Sequence, residues 1–147
     1  MSEIEGAQPD PDCIFCKIIT GELPGEILEE DDRTVAFMDI NPANPGHALV
    51  IPRAHSKDLL EISDDDLAAC TLAARRLARK MSETIDPEGF NVLNCCGSAA
   101  WQTVFHFHLH VVPRNQDDPL ELPWIPRPGD ASEIKGTADK IRGEGLK

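Results

Sequence analysis

The chain has 147 residues, 41% apolar and 27% charged, and its 26 acidic and 14 basic side chains give a formal net charge of −12. This length suits one domain with one sizeable core, burying about two-thirds of the surface its unfolded chain exposes. The acidic balance, clustered at Glu29-Glu30-Asp31-Asp32 and Asp64-Asp65-Asp66, excludes sequence-blind attraction to long nucleic acids, although a small pocket can still focus donors onto a single phosphate.

There is no run of eighteen apolar residues, and the stretch 1–12 is acidic and proline-containing rather than basic and then apolar. Neither membrane insertion nor secretion is expected. The odd count of five cysteines, with Cys95 and Cys96 adjacent, fits a reduced, cytoplasmic compartment better than a disulfide framework.

After the acidic leader, apolar residues at Ile14, Phe15, Ile18 and Ile19 have helical spacing and predict a short helix. Thr20-Gly21 through Pro24-Gly25 interrupts it. Glu26 to Glu30 and Thr34 to Met38 read as paired strands around the turn Asp31-Asp32-Arg33. The turn-rich Asn41-Pro42-Ala43-Asn44-Pro45-Gly46 leads into an apolar strand that starts at His47 and is stopped by Pro52.

Ser63 with Asp66 three residues on has the form of a capping box. Leu67, Cys70, Ala74, Leu77, Ala78 and Met81 then mark one stripe of a helix of about four or five turns. Arg75, Arg76, Arg79 and Lys80 lie on its other face, towards the end where cations suit the helix dipole. Asp86 to Gly89 is a turn, Phe90 to Cys95 a strand, and Gly97 to Ala100 a loop. A further strand runs from Thr103 to Val112 and ends at Pro113. The residues beyond read as an irregular extension with a weak terminal helix. The expected organisation is a leader over 1–12, a domain over 13–114 and an extension over 115–147.

Along that last strand the two-residue period puts His106, His108 and His110 on one face, about 6 to 7 Å apart. Phe105, Phe107, Leu109 and Val111 then point to the core. Two chemistries fit three such imidazoles. In one, a neutral imidazole attacks phosphorus while others orient it or donate protons; in the other, a histidine-rich zinc site activates water. Gly97, Ser98, Gln102 and Thr103 just upstream offer donors to phosphate oxygens and favour the first. Separately, the two-residue gap of Cys13 and Cys16 suits thiolates sharing a metal, a redox pair, or two small buried residues in a helix.

The run His106-Phe107-His108-Leu109-His110-Val111-Val112 resembles the hallmark of the histidine triad family, His-x-His-x-His followed by two apolar residues. The resemblance extends over Gly97, Ala100, Gln102, Thr103 and Val104, over Phe37, Asp39, Ile40, Pro45, Gly46 and His47, and over Ile14-Phe15 and Ile18-Ile19. It implies an α+β fold with an antiparallel sheet of about five strands, one long and one short helix, and a homodimer. It also implies hydrolysis or transfer of nucleoside monophosphates through a nucleotidyl-histidine.

By this resemblance His108 is the nucleophile, His110 contacts phosphate or helps protonate the leaving group, and His47 backs up His108. Gln102 and Thr103 become phosphate or leaving-group contacts, and Asp39 the ribose-binding acid. Ile14, Phe15, Ile18, Phe37 and Ile40 become the apolar walls around the base. Some members also hold a structural zinc, whose ligands here would be Cys13, Cys16, His55 and His106.

Two positions depart from the family pattern: Cys95 where relatives commonly have asparagine, with Asn94 beside it as a replacement, and Trp101 where a glycine usually precedes the glutamine. The expected substrate is a nucleoside 5′-phosphoramidate or mixed anhydride yielding a purine mononucleotide such as AMP. The rivals are cleavage or phosphorolysis of a dinucleoside polyphosphate and a non-catalytic nucleotide-binding role.

Overall fold

The structure, a computed structural model, describes residues 10–143; most of the acidic leader lies outside the described residues. In chain order the elements are α1 (Ile14–Thr20), β1 (Ile27–Glu30), β2 (Thr34–Met38), β3 (Ala48–Pro52), α2 (Asp64–Thr84), β4 (Gly89–Leu93), a 3-10 turn (Ser98–Ala100), β5 (Leu109–Arg114) and α3 (Ala131–Arg142). The five strands form one antiparallel sheet in the order β1-β2-β3-β5-β4. No helix among the described residues is long and apolar enough to cross a membrane.

The period of two along the central strands sorts side chains between two clusters. Ala36, Ala48, Val50, Leu109 and Val111 meet Cys70, Ala73, Ala74, Leu77 and Met81 of α2. Val35, Phe37, Leu49 and Ile51 meet Phe15 and Cys16 of α1 on the other face. The small-residue stripe of α2 is therefore committed to the sheet within one chain. Truncating its buried Leu77 to alanine removes on the order of 2–5 kcal/mol of stability.

At the start of α2, Ser63 Oγ accepts from Asp66 N–H at 3.1 Å. The return half of the capping box is absent, because the Asp66 carboxylate takes Arg33 Nη1 at 2.7 Å. With 21 residues, α2 is nearly six turns long, so Arg75 to Lys80 lie before its last turn and not at its C-terminal end. The terminal helix expected in the extension is the twelve-residue α3, capped by Asp130 accepting from Glu133 N–H and closed by Gly143.

The largest difference from expectation lies ahead of β5, which begins at Leu109 and not at Thr103. The β3–β5 ladder pairs Ala48 with Val111, Leu49 with His110 and Val50 with Leu109, and stops there. Continued in that register it would set Phe107 against Pro52, which has no N–H to donate. Phe107 N–H turns instead to Ser56 O at 2.7 Å, so His106 and His108 lie on an irregular approach to the strand. Pro113, expected to end the strand, lies within it opposite Phe90.

Candidate active site and metal cluster

Alternation survives the loss of ladder pairing. Phe107 stays on the α2 side, while His106 and His108 both pack edge-on against Phe15 of α1, at centroid distances of 6.0 and 5.1 Å. The three histidines nevertheless separate into two groups. His106 joins Cys13, Cys16 and His55, whose candidate ligand atoms all lie within 4.8 Å of one another. His108 and His110 lie together, with ring centroids 5.0 Å apart, and His47 and Asp39 adjoin His110.

Backbone partners fix the ring tautomers. His106 Nε2 lies 2.7 Å from Pro52 O; a carbonyl can only accept, so Nε2 carries the hydrogen and Nδ1 keeps its lone pair. His108 is the reverse, with Nδ1 donating to His106 O at 2.8 Å and the lone pair on Nε2. At His47, Nδ1 accepts from Ala43 N–H at 2.9 Å, which leaves the hydrogen on Nε2 to donate to His110 Nδ1 at 2.9 Å. Neutral His110 therefore carries its own hydrogen on Nε2. His47 thus meets His110, because Leu49 pairs with His110 and His47 lies two residues up the same face.

Electrostatics keep this group uncharged. Burial lowers His108 and His47 below the usual histidine range, and burial followed by the nearby His108 and His47 charges lowers His110 to about 4. A neutral His108 with a free Nε2 lone pair is a competent nucleophile at neutral pH, and His110 Nε2–H is available to hydrogen-bond a leaving group.

The other group fits a tetrahedral cation. Ordinary zinc bond lengths place sulfur and nitrogen ligands about 3.6 Å apart and two nitrogens about 3.3 Å apart. Cys13 Sγ and Cys16 Sγ lie 3.4 and 3.5 Å from His106 Nδ1, Cys16 Sγ lies 3.4 Å from His55 Nδ1, and the two Nδ1 atoms are 3.2 Å apart. The Pro52 carbonyl orients His106 in the manner of an outer-shell partner of a metal-bound histidine. Burial pushes the Cys16 thiol up to about 11, so thiolate character there calls for a bound cation. The cluster could hold a metal ion.

The remaining candidates are distributed unevenly. Phe15 and Phe37 are buried and in edge-on contact at 5.4 Å; Ile18 is half-buried, whereas Ile14 and Ile40 are exposed. Asp39 Oδ1 accepts from Asn41 N–H at 2.8 Å, the turn-capping role of an aspartate, and its Oδ2 lies 3.5 Å from His47 Nε2. Gln102, expected at phosphate, has its amide committed to backbone: it accepts from Gly97 N–H at 2.8 Å and donates to Lys57 O and Val104 O at 2.9 and 3.1 Å. It pins the loop, and Thr103 is the exposed member of the pair. Trp101 is 69% exposed in a left-handed conformation, φ +74°.

Asn94 donates from Nδ2 to His108 O at 3.0 Å. Its Oδ1 is buried with no protein partner. Sequence reasoning missed Asn44 and Asp118, which are joined at 2.8 Å beside the turn that holds His47; Asn44 read only as a turn former and Asp118 lay beyond the motif.

Comparison with known proteins agrees with this geometry. The HIT domain family model matches residues 20–117. The chain is 39% identical over 130 residues to the adenosine 5′-monophosphoramidase hnt1 of Schizosaccharomyces pombe, covering 88% of this chain and 95% of that one. Its fold is similar to the crystal structure of SMU.412c from Streptococcus mutans, with a TM-score of 0.87, 33% identity, and 97% of this chain and 90% of that chain covered. It is also similar to a zinc-bound histidine triad family protein from Mycobacterium smegmatis, with a TM-score of 0.72, 34% identity, and 92% and 98% covered. With its paired histidine clusters on a five-stranded antiparallel sheet, the chain belongs to the HIT, or histidine triad, family, whose members support a nucleotide hydrolase activity.

Proposed function

We propose that this protein hydrolyses nucleoside 5′-phosphoramidates or related AMP–X compounds through a nucleotidyl-His108 intermediate. The observation that carries the reading is the pair of opposite ring states: His108 presents a lone pair on Nε2, and adjacent His110 presents a hydrogen on Nε2. His108 Nε2 attacks the α-phosphorus; the bond from phosphorus to the leaving nitrogen breaks, and the departing amine takes a proton from solvent while His110 Nε2–H hydrogen-bonds the leaving nitrogen. Water then attacks the phosphorus of nucleotidyl-His108, releasing nucleoside monophosphate and returning the electron pair to His108 Nε2 and a proton to solvent.

In this reading Asp39 turns from Asn41 to the ribose hydroxyls, and Ile14, Ile18, Phe15, Phe37 and Ile40 border a purine. Thr103 and the backbone N–H groups of the loop that Gln102 holds supply donors to phosphoryl oxygens. Similarity to the fission yeast phosphoramidase supports the substrate class. Cys13, Cys16, His55 and His106 would hold zinc and through it join α1, the segment after β3 and the approach to β5; with four protein ligands its contribution would be structural.

A homodimer that covers edge strand β4, where Val92 and Leu93 are exposed, completes the proposal, and the free thiols suit a reducing cytoplasm. The test is rapid acid quench with adenosine 5′-phosphoramidate labelled at phosphorus, followed by peptide mass spectrometry. Label on His108 within the first turnover is expected; resolved turnover with no label on His108 overturns the mechanism. Light scattering at about twice the 16.1 kDa chain mass is expected for the dimer.

A further inference from the structure

We infer that Asp118, just beyond the family match, is a positioning residue that fixes the His47 tautomer through Asn44, and with it the hydrogen on His110 Nε2. The inference rests on the assignment of His110 Nε2–H as the hydrogen-bond donor to the leaving group.

The path is continuous. The Asp118 side chain is 9% exposed. Its Oδ2 accepts from Arg114 Nε at 2.7 Å, Asn115 N–H at 2.9 Å and Asn44 Nδ2 at 2.8 Å, and its Oδ1 accepts from Arg114 Nη2 at 2.9 Å and Leu120 N–H at 3.1 Å. Five charge-assisted bonds fix the carboxylate in place, and the Arg114 guanidinium holds it well below the usual carboxylate range. Asn44 is then held at both ends. Its second amide hydrogen goes to Pro113 O of β5 at 3.1 Å, and its backbone carbonyl accepts from His47 N–H at 3.0 Å.

The turn presses directly on β5. Gly46 has φ +94°, and a Cβ there would lie 2.9 Å from Pro113 Cγ, so a side chain would be excluded by conformation and by contact. The residue before Asn44 supplies the deciding group, the Ala43 N–H on His47 Nδ1. If that N–H turns away, neutral His47 can carry its hydrogen on Nδ1 and face His110 with a lone pair. His110 would then hold its hydrogen on Nδ1 and have nothing on Nε2 for a leaving amine. The only other group favouring the working tautomer among those described is Asp39 Oδ2, at 3.5 Å, a distance at which a hydrogen bond is weak. Asp118, fixed to the end of the strand that carries His110, thereby sets which nitrogen of His110 is protonated.

The test compares the full chain with Asn44→Ala, Asp118→Asn and the double variant. Ring ¹⁵N spectra without substrate read the tautomers: the unaltered protein is expected to show His47 protonated on Nε2, and both single variants to show averaging between the two nitrogens. With adenosine 5′-phosphoramidate kcat is expected to fall about tenfold with KM within about twofold. An AMP aryl ester, whose leaving phenolate needs no proton, should lose little. The double variant should be no worse than the worse single one, as for two groups on one path. Unchanged His47 ring signals in a folded variant, or equal losses on amine and aryl leaving groups, would overturn the inference. Asp118→Asn keeps the side-chain shape and decides the matter if Asn44→Ala does not fold. A wild-type protein inert towards every nucleotide would defeat the functional reading alone, since the ring spectra judge the positioning without turnover.

Discussion

His106 and His108 stand two residues apart, both buried and both tied to a backbone carbonyl by one ring nitrogen, yet the nitrogens are opposite ones. His106 gives Nε2–H to Pro52 O and turns Nδ1 towards two sulfurs and His55. His108 gives Nδ1–H to His106 O and keeps Nε2 free beside His110. One residue type, in one stretch of chain and on one side of the sheet, thus turns one lone pair to a cluster that could hold a metal and another to the proposed reaction. The carbonyl each ring meets, more than its burial, decides which.

The strongest way to break this contrast is to remove His108. His108→Ala is expected to lower kcat/KM at least about 10⁴-fold and abolish phosphorus labelling, as loss of a covalent nucleophile does. His106→Ala should act through folding and metal content. Equal catalytic losses per correctly folded molecule would erase the distinction between the two rings. Next in size is His110→Gln, expected to cost about 10²–10³-fold on a phosphoramidate and far less on an aryl ester of AMP. Steady-state rates on the two substrates give the ratio directly.

How far the sequence revealed this contrast depended on the distance over which each cause acts. The two core faces were legible because alternation in β2, β3 and β5 is local, and so was the hairpin around Asp31 to Arg33. The true start of β5 was not, since it depends on Pro52 lacking an N–H across the sheet. The partner of His47 required the register of Leu49 with His110, which pattern alone does not specify. The candidate ligands Cys13, Cys16, His55 and His106 do converge, although the spacing of Cys13 and Cys16 by itself suited three readings. For α3, expected only as a weak helix, the signal was present: Asp130 followed three residues on by Glu133 is an N-terminal capping pattern, weakened by the proline and glycine around it.

Metal removal sharpens the contrast from the other end. Zinc at a thousandfold excess over its dissociation constant would add about 4 kcal/mol to folding stability. Chelation or Cys16→Ser is therefore expected to lower the melting temperature markedly while turnover per folded molecule at 25 °C stays within a few-fold. Thermal unfolding paired with active-site titration checks this. If folded, metal-free protein loses turnover and stoichiometric zinc restores it with no change in the fold, the metal end takes part in the reaction and the division fails.

The smallest expected effect is the response to mild acid, and it isolates the catalytic end. Burial first, then mutual repulsion, lowers His110 to about 4, and burial lowers His47. In the unfolded chain both titrate near the ordinary histidine value of about 6.5. Between pH 6.5 and 4 the unfolded state therefore binds more protons than the folded state, so folding stability declines as pH falls through that window and is unaffected by these groups above it. Burial lowers His108 as well, so the acid limb of kcat/KM should lie below pH 6.5. Zinc-loaded protein should show a steeper loss, because protons compete with the metal for its thiolate and imidazole ligands. His110→Gln, measured by denaturant unfolding of the metal-free chain at pH 7.5, 6 and 5, should make the pH dependence shallower by removing one depressed group. An acid limb at or above pH 6.5, or an unchanged slope in His110→Gln, would show that the catalytic histidines are solvated like free imidazoles, and the contrast with His106 would then rest on metal binding alone.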